Sequence, residues 1–119
     1  MTTQEIASKL IAFCRKGEWE AAQKDLYASD AVSFEPEATP VFAKETKGLD
    51  AIIAKGQKFN SMVEEYHSIT VSEPLVADDV FAITLTMDLT MKGRGRTPMS
   101  EIGVYKVKDG KIVSEQFTY

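Results

Sequence analysis

From residue 80 onward the chain alternates with period two and breaks only at two short turns, which confines its second half to paired strands. Val80 to Met91 sets Phe81, Ile83, Leu85, Met87, Leu89 and Met91 on one side, and Ala82, Thr84, Thr86, Asp88 and Thr90 on the other. Lys92-Gly-Arg-Gly-Arg96 reads as a solvated hairpin tip. Met99 to Lys108 then alternates again, with Met99, Glu101, Gly103, Tyr105 and Val107 on the inward parity. Asp109-Gly110 is a two-residue hairpin signal. The last run gives Val113, Glu115, Phe117 and Tyr119 one face, and Ile112, Ser114, Gln116 and Thr118 the other. A carboxylate on the aromatic face is costly to bury unless it is paired or protonated, so this strand reads as a pocket wall.

The preceding residues carry helical spacing. Thr2 or Thr3 caps a helix to about Lys16, with Ile6, Leu10, Phe13 and Cys14 on one face and Gly17 as its stop. A second helix is predicted over 18–28, burying Trp19, Ala22, Leu26 and Tyr27. Ala31 to Glu35 is a short strand ended by Pro36. Residues 36–47 form a loop whose Val41-Phe42 pair suits a lid on a cavity mouth. Gly48 precedes a third helix over 49–63, with Leu49, Ile52, Ile53, Gly56, Phe59, Met62 and Val63 inward. Tyr66 to Val76 alternates as a strand, with His67, Ile69 and Val71 on one side and a bend at Pro74. Three helices and an antiparallel meander make one α+β domain over residues 1–119, with a cone-shaped hollow between helices and curved sheet.

The net charge of −4 argues against a nucleic-acid partner, which needs clustered Lys and Arg. Cys14 is the only cysteine, so an intrachain disulfide is excluded; its default reading is a small buried hydrophobe. No stretch has the length of a membrane span, and the N-terminus lacks a signal-peptide layout, so a cytoplasmic protein without a membrane partner is expected. One histidine and one cysteine offer no metal site, and neither a phosphate cradle nor a dinucleotide fingerprint is present. No cofactor is expected.

The order of elements resembles the nuclear transport factor 2-like (NTF2-like) superfamily, and within it the SnoaL-like group related to polyketide cyclases. The resemblance covers the whole chain. It is carried by Gly17-Glu-Trp19, Tyr27-Ala-Ser-Asp-Ala-Val-Ser-Phe-Glu-Pro36, Lys47-Gly-Leu-Asp-Ala-Ile52 and Val104-Tyr-Lys-Val-Lys-Asp-Gly-Lys-Ile112. It implies the cone-shaped α+β fold and frequent dimers. It does not settle activity, because the superfamily holds isomerases, dehydratases, cyclases, binding proteins and interaction modules. Ketosteroid isomerase is a member with a carboxylate base after the first strand, and an oxyanion hole of Tyr and protonated Asp. Glu35 matches the base by its place before Pro36. The tyrosine falls near Leu10, which has no hydroxyl. The acid falls at Glu101 or Gly103.

The candidate catalytic residues are therefore Glu35, His67 and Glu101, each with a plainer reading. His67 is of the residue type that most often serves as a general base, yet a hydrogen-bonded core or edge histidine is as common. Glu35 beside a proline at a strand end is often only solvated, and Glu101 has a plainer role if it reaches water. If two acids face each other, one stays protonated while the other acts as base. Tyr27, Phe59, Met87, Tyr105, Glu115, Phe117 and Tyr119 are the candidate ligand-binding residues, although tyrosines and methionines at such spacing are more often core. The expected ligand is a small apolar or carbonyl-bearing molecule, with acid–base isomerisation, dehydration or aldol-type cyclisation as the chemistry. The alternative is a non-catalytic ligand sensor or dimeric interaction module. The flat outer sheet face, rich in small and β-branched residues, suits a homodimer.

Overall fold

The threonine that opens the first helix and the glutamate three residues on each satisfy the other's free amide. In a computed structural model describing residues 1–119, helix α1 (Thr3–Arg15) starts at a reciprocal cap. The Thr2 hydroxyl accepts from the Glu5 amide at 3.1 Å, and the Glu5 carboxylate accepts from the Thr2 amide at 2.9 Å. The buried face of α1 is Ile6, Ala7, Leu10, Ile11 and Cys14. Helix α2 (Trp19–Leu26) is shorter than its pattern predicts, and Tyr27 already belongs to strand β1 (Tyr27–Phe34). The reason is tertiary: Tyr27 pairs with Ile112, so sheet formation overrides local helix preference.

The rest follows as β2 (Glu45–Lys47), α3 (Leu49–Met62), β3 (Val63–Val71), β4 (Leu75–Ala77), β5 (Val80–Met91), β6 (Gly95–Lys108) and β7 (Lys111–Thr118). Three helices pack on a curved sheet of order β2-β1-β7-β6-β5-β3, with β4 beside β5. Every pairing is antiparallel except β1 with β7, so the sheet is mixed, and it does not close. That parallel pairing sets Ser33 opposite Glu115. The loop expected over 36–47 ends in β2, which adds an edge to β1. Strand β6 begins at Gly95, earlier than its alternation indicates. Arg96 is thus a strand residue gripping Asp88 through two hydrogen bonds, at 2.9 and 2.7 Å, and only Lys92 to Arg94 form the tip.

Two bulges change which side chains face the helices. In β3 the register shifts between Tyr66 and Ser68, and Tyr66 and Ile69 point inward while His67 does not. In β7 the partner of Lys106 is Ser114 and that of Val107 is Ile112, leaving Val113 as the extra residue. Ile112 and Glu115 are consequently both buried, although strict alternation puts them on opposite faces. At the turn into β7, Asp109 and Gly110 both have positive φ, 52° and 75°, as a two-residue hairpin of this twist requires.

The core sits between α1, α2 and the middle of the sheet. Phe81 stacks on Tyr105 with ring centroids 4.9 Å apart, and Phe117 meets Tyr105 edge-on at 6.3 Å. The Tyr105 ring lies in the space that Gly103 leaves empty. A Cβ there would come within 2.8 Å of the ring carbon Cε1 and 2.9 Å of its hydroxyl. Gly103→Ala is therefore expected to displace Tyr105 and destabilise the fold by about 1–3 kcal/mol. Urea denaturation checks this; an unchanged midpoint would mean the ring moves aside freely.

Candidate functional site

Because β1, β6 and β7 turn their inward residues toward α2 and α3, a cavity of about 250 Å³ opens between helices and sheet. Its lining is mostly apolar and includes Trp19, Ile52, Leu85 and Met99. Glu35, Glu101, Tyr27, Phe59, Met87, Tyr105, Glu115, Phe117 and Tyr119 all lie along it. His67 does not, which corrects its place on the inward face. The β3 bulge carries it to the outer side of the sheet. There Nδ1 lies 2.9 Å from the Glu65 carboxylate and Nε2 lies 2.6 Å from the Thr90 hydroxyl.

A continuous chain of hydrogen bonds crosses the cavity wall. The Tyr27 hydroxyl donates to Glu115 Oε1, and the Ser33 hydroxyl donates to Glu115 Oε2 at 2.7 Å. Lys55 Nζ donates to Ser33 Oγ at 2.7 Å and to Glu35 Oε1 at 3.1 Å. The Tyr119 hydroxyl donates to Glu35 Oε2 at 2.9 Å. An ammonium only donates, so Ser33 accepts from Lys55, and its own proton is left for Glu115. Both oxygens of each of Glu35 and Glu115 are thereby engaged.

Sequence reading missed Ser33 and Lys55, and each left a signal. Ser33 lies two residues after buried Ala31 and two before Glu35, on the inward parity of β1. Lys55 follows Ile52 by three residues and precedes Phe59 by four, so helical spacing puts it on the inward stripe of α3. Among the residues lining the cavity, Lys55 is the sole cation.

Glu101 differs from the other acids. It reaches the same cavity from β6 with no protein hydrogen-bond partner, and burial pushes its pKa up to about 7. The charges of Glu35 and Glu115 add to that rise and Lys55 opposes it. Burial also raises Glu115, against the pull of the Ser33 and Tyr27 donors. Tyr119 is pushed up to about 12 by burial and by its hydrogen bond to Glu35, and so remains a donor. At the floor, burial raises Cys14 to about 12, which keeps it a thiol. No set of His, Cys, Asp and Glu side chains converges for a metal ion.

The 36–44 loop brings Phe42 to the cavity mouth. Thr39 and Phe42 close a tight turn through a backbone bond of 2.8 Å, and the Thr39 hydroxyl accepts from the Phe42 amide at 2.9 Å. Lys58 fastens this turn to α3. It donates to the Val41 carbonyl at 2.9 Å and sits 5.6 Å above the Phe42 ring. The arrangement thus combines an apolar chamber, a wall of ordered donors, and one carboxyl that is free to hold or release a proton near neutral pH. No helix is long and apolar enough to cross a membrane.

The SnoaL-like domain family matches residues 1–119. A protein from Mesorhizobium loti, provisionally assigned as a SnoaL-like polyketide cyclase, has 34% identity and a TM-score of 0.91, with 100% of both chains covered. An NTF2-like protein from Burkholderia thailandensis superposes with a TM-score of 0.84 at 18% identity, covering 99% of this chain and 90% of its own. A hypothetical protein with a ketosteroid isomerase-like fold from Catenulispora acidiphila, solved with trimethylamine, gives 0.76 at 19% identity, with 97% and 85% covered. No curated protein matches the chain.

The state of Glu101 carries a stability test. Its folded pKa lies near 7 against an ordinary 4.5, so between those values the folded protein keeps a proton that the unfolded chain has released. Stability therefore falls as pH rises through that window. Glu101→Gln cannot ionise. It is expected to gain on the order of 2 kcal/mol over the wild type between about pH 4 and pH 8, after discounting for cavity water. Urea denaturation at both pH values reads the difference, and equal gaps at both would show that Glu101 titrates normally.

Proposed function

The chain belongs to the SnoaL-like domain family, and on that premise we propose that its cavity binds a small, mostly apolar carbonyl compound and moves protons on it without a cofactor. The observation that carries this reading is the pairing of two unlike carboxyls in one apolar chamber. Glu35 is engaged through both oxygens by Lys55 and Tyr119, whereas Glu101 faces the same space unpaired. Glu35 takes a proton from the carbon beside the carbonyl. Glu101 gives its proton to the carbonyl oxygen, leaving a neutral enol. The enol then regains a proton at another carbon (isomerisation), expels a β-hydroxyl as water (dehydration) or attacks a second carbonyl (aldol closure). The provisional assignment of the Mesorhizobium loti relative favours the last of these. A volume of about 250 Å³ fits a molecule of one or two rings, just under the usual range of about 300–1,000 Å³ for ligand pockets.

Exchange of the α-hydrogens of 2-tetralone in deuterated buffer, followed by proton NMR, tests the reading. The wild type is expected to accelerate exchange, with Glu35→Gln losing about 10²-fold or more and Glu101→Gln a smaller factor. Wild-type exchange no faster than that of free acetate at equal carboxylate concentration would leave a ligand-binding protein without acid–base catalysis.

A second proposal, independent of the cavity, is pairing of two copies across the outer sheet face. It is supported by Ile102 and Val104, which are 47% and 39% exposed in the middle of β6. Sedimentation equilibrium is expected to give a dimer that Ile102→Glu converts to monomer. A wild-type monomer at the highest concentration would sink the idea.

A further inference from the structure

The hydrogen-bond chain leaves one resource unspent. Lys55 has three N–H groups, of which Ser33 and Glu35 take two, and no other protein acceptor is in reach. Its side chain is only 16% exposed, yet it lines the cavity, with the ammonium 5.9 Å from the centre of the Phe117 ring. An ammonium so placed is desolvated, surrounded by apolar wall, and aimed by two fixed acceptors. Those are the conditions under which a cationic donor stabilises a developing negative charge most strongly. It also touches Glu35, so a donor for the oxygen and a base for the neighbouring carbon sit 3.1 Å apart.

The buried part of the chain explains why Lys55 stays put. Glu115 is 3% exposed and plays no part in the proton transfers described above. Tyr27 and Ser33 occupy its two oxygens, and the Ser33 hydroxyl oxygen in turn accepts from Lys55. A flexible four-carbon side chain is thereby fixed from beneath. Glu35 alone, at the mouth, would let it swing outward.

Resting on the acid–base reading of the cavity, we propose that Lys55 is a further catalytic residue. It is the cation that holds the developing oxyanion of a neutral, enolisable carbonyl substrate. Ser33, Glu115 and Tyr27 are the positioning residues that hold the ammonium in place. As Glu35 removes the α-proton, the C–H electron pair moves into the new C=C bond and the carbonyl π pair moves onto oxygen. The charge there is met by the free N–H of Lys55 until Glu101 delivers its proton. Lys55 gives up no proton itself.

The probe is p-nitrophenol, whose phenolate imitates the enolate oxygen and is seen by its visible absorption. The bound phenolate-to-phenol ratio is titrated in the wild type, and again in a Glu101→Gln background so that ionisation of Glu101 is not mistaken for an effect of Lys55. In both, the cavity is expected to favour phenolate over its free-solution ratio. Lys55→Met is expected to lower that ratio about tenfold or more, equivalent to about one pH unit. Lys55→Gln serves as the second variant, because it keeps a neutral donor if the methionine form folds poorly. Glu115→Gln, with Lys55 present but less firmly held, is expected to fall between wild type and Lys55→Met. A ratio within about twofold of wild type in both Lys55 variants overturns the assignment, as does a wild-type cavity that takes only the phenol or fails to bind the probe. Failure of the underlying reading looks different: it is the absence of tetralone exchange in the wild type, which the nitrophenol titration does not measure.

Discussion

The structure turns on a carboxylate that water hardly reaches. Glu115 sits at 3% exposure among Tyr105, Phe117 and the helix residues above them, where an unsatisfied charge would cost several kcal/mol. Its placement is a consequence of the one parallel pairing in the sheet. Strand β1 lies beside β7 in the register that sets Ser33 against Glu115, and the start of the same strand supplies Tyr27. Had β1 joined one residue out of register, Ser33 would face outward and the carboxylate would lose a donor. The mixed topology is thus bound up with the polar wall of the cavity.

That wall organises the remainder. Because Ser33 must accept from Lys55, the polar chain runs outward from the core to α3 and then to Glu35 and the C-terminal Tyr119. One ammonium serves two carboxylates, Glu35 directly and Glu115 through a hydroxyl. Removing one partner from such a buried set costs more than the set contributes as a whole, because the others are left uncompensated. Stability and cavity chemistry consequently draw on the same side chains.

Much of this was legible in the residues. The period-two runs of β5 and β6, the Asp109-Gly110 hairpin, the Thr2 cap and the inward stripe of α3 follow from local rules, and they suffice for the fold class. The positions of Glu101 and Glu115 along the hollow also follow from parity, and that of Glu35 from the resemblance, through its place before Pro36. What escaped was long-range or broke the period. The β3 bulge moved His67 across the sheet, and the β7 bulge let Ile112 and Glu115 share an interior that alternation denies them. Tyr27 was read as helix because its strand partner lies 85 positions along the chain, at Ile112. Lys55 was passed over because a lysine on a helix is by default solvated, although its spacing from Ile52 and Phe59 was inward.

The contrast among the acids is the final step. Glu35 and Glu115 are each held through both oxygens, whereas Glu101 receives no donor and meets the two like charges across the cavity. Burial therefore acts on it with only Lys55 in opposition, and pushes its pKa up to about 7. The same chemical group is placed in one chamber in two conditions, the difference being which of them the lysine reaches. A fifth donor, on β6, would erase that asymmetry by occupying Glu101 as well, leaving the chamber without an unpaired acid. The polar wall is one-sided, and in an apolar cavity that one-sidedness is what separates the two roles.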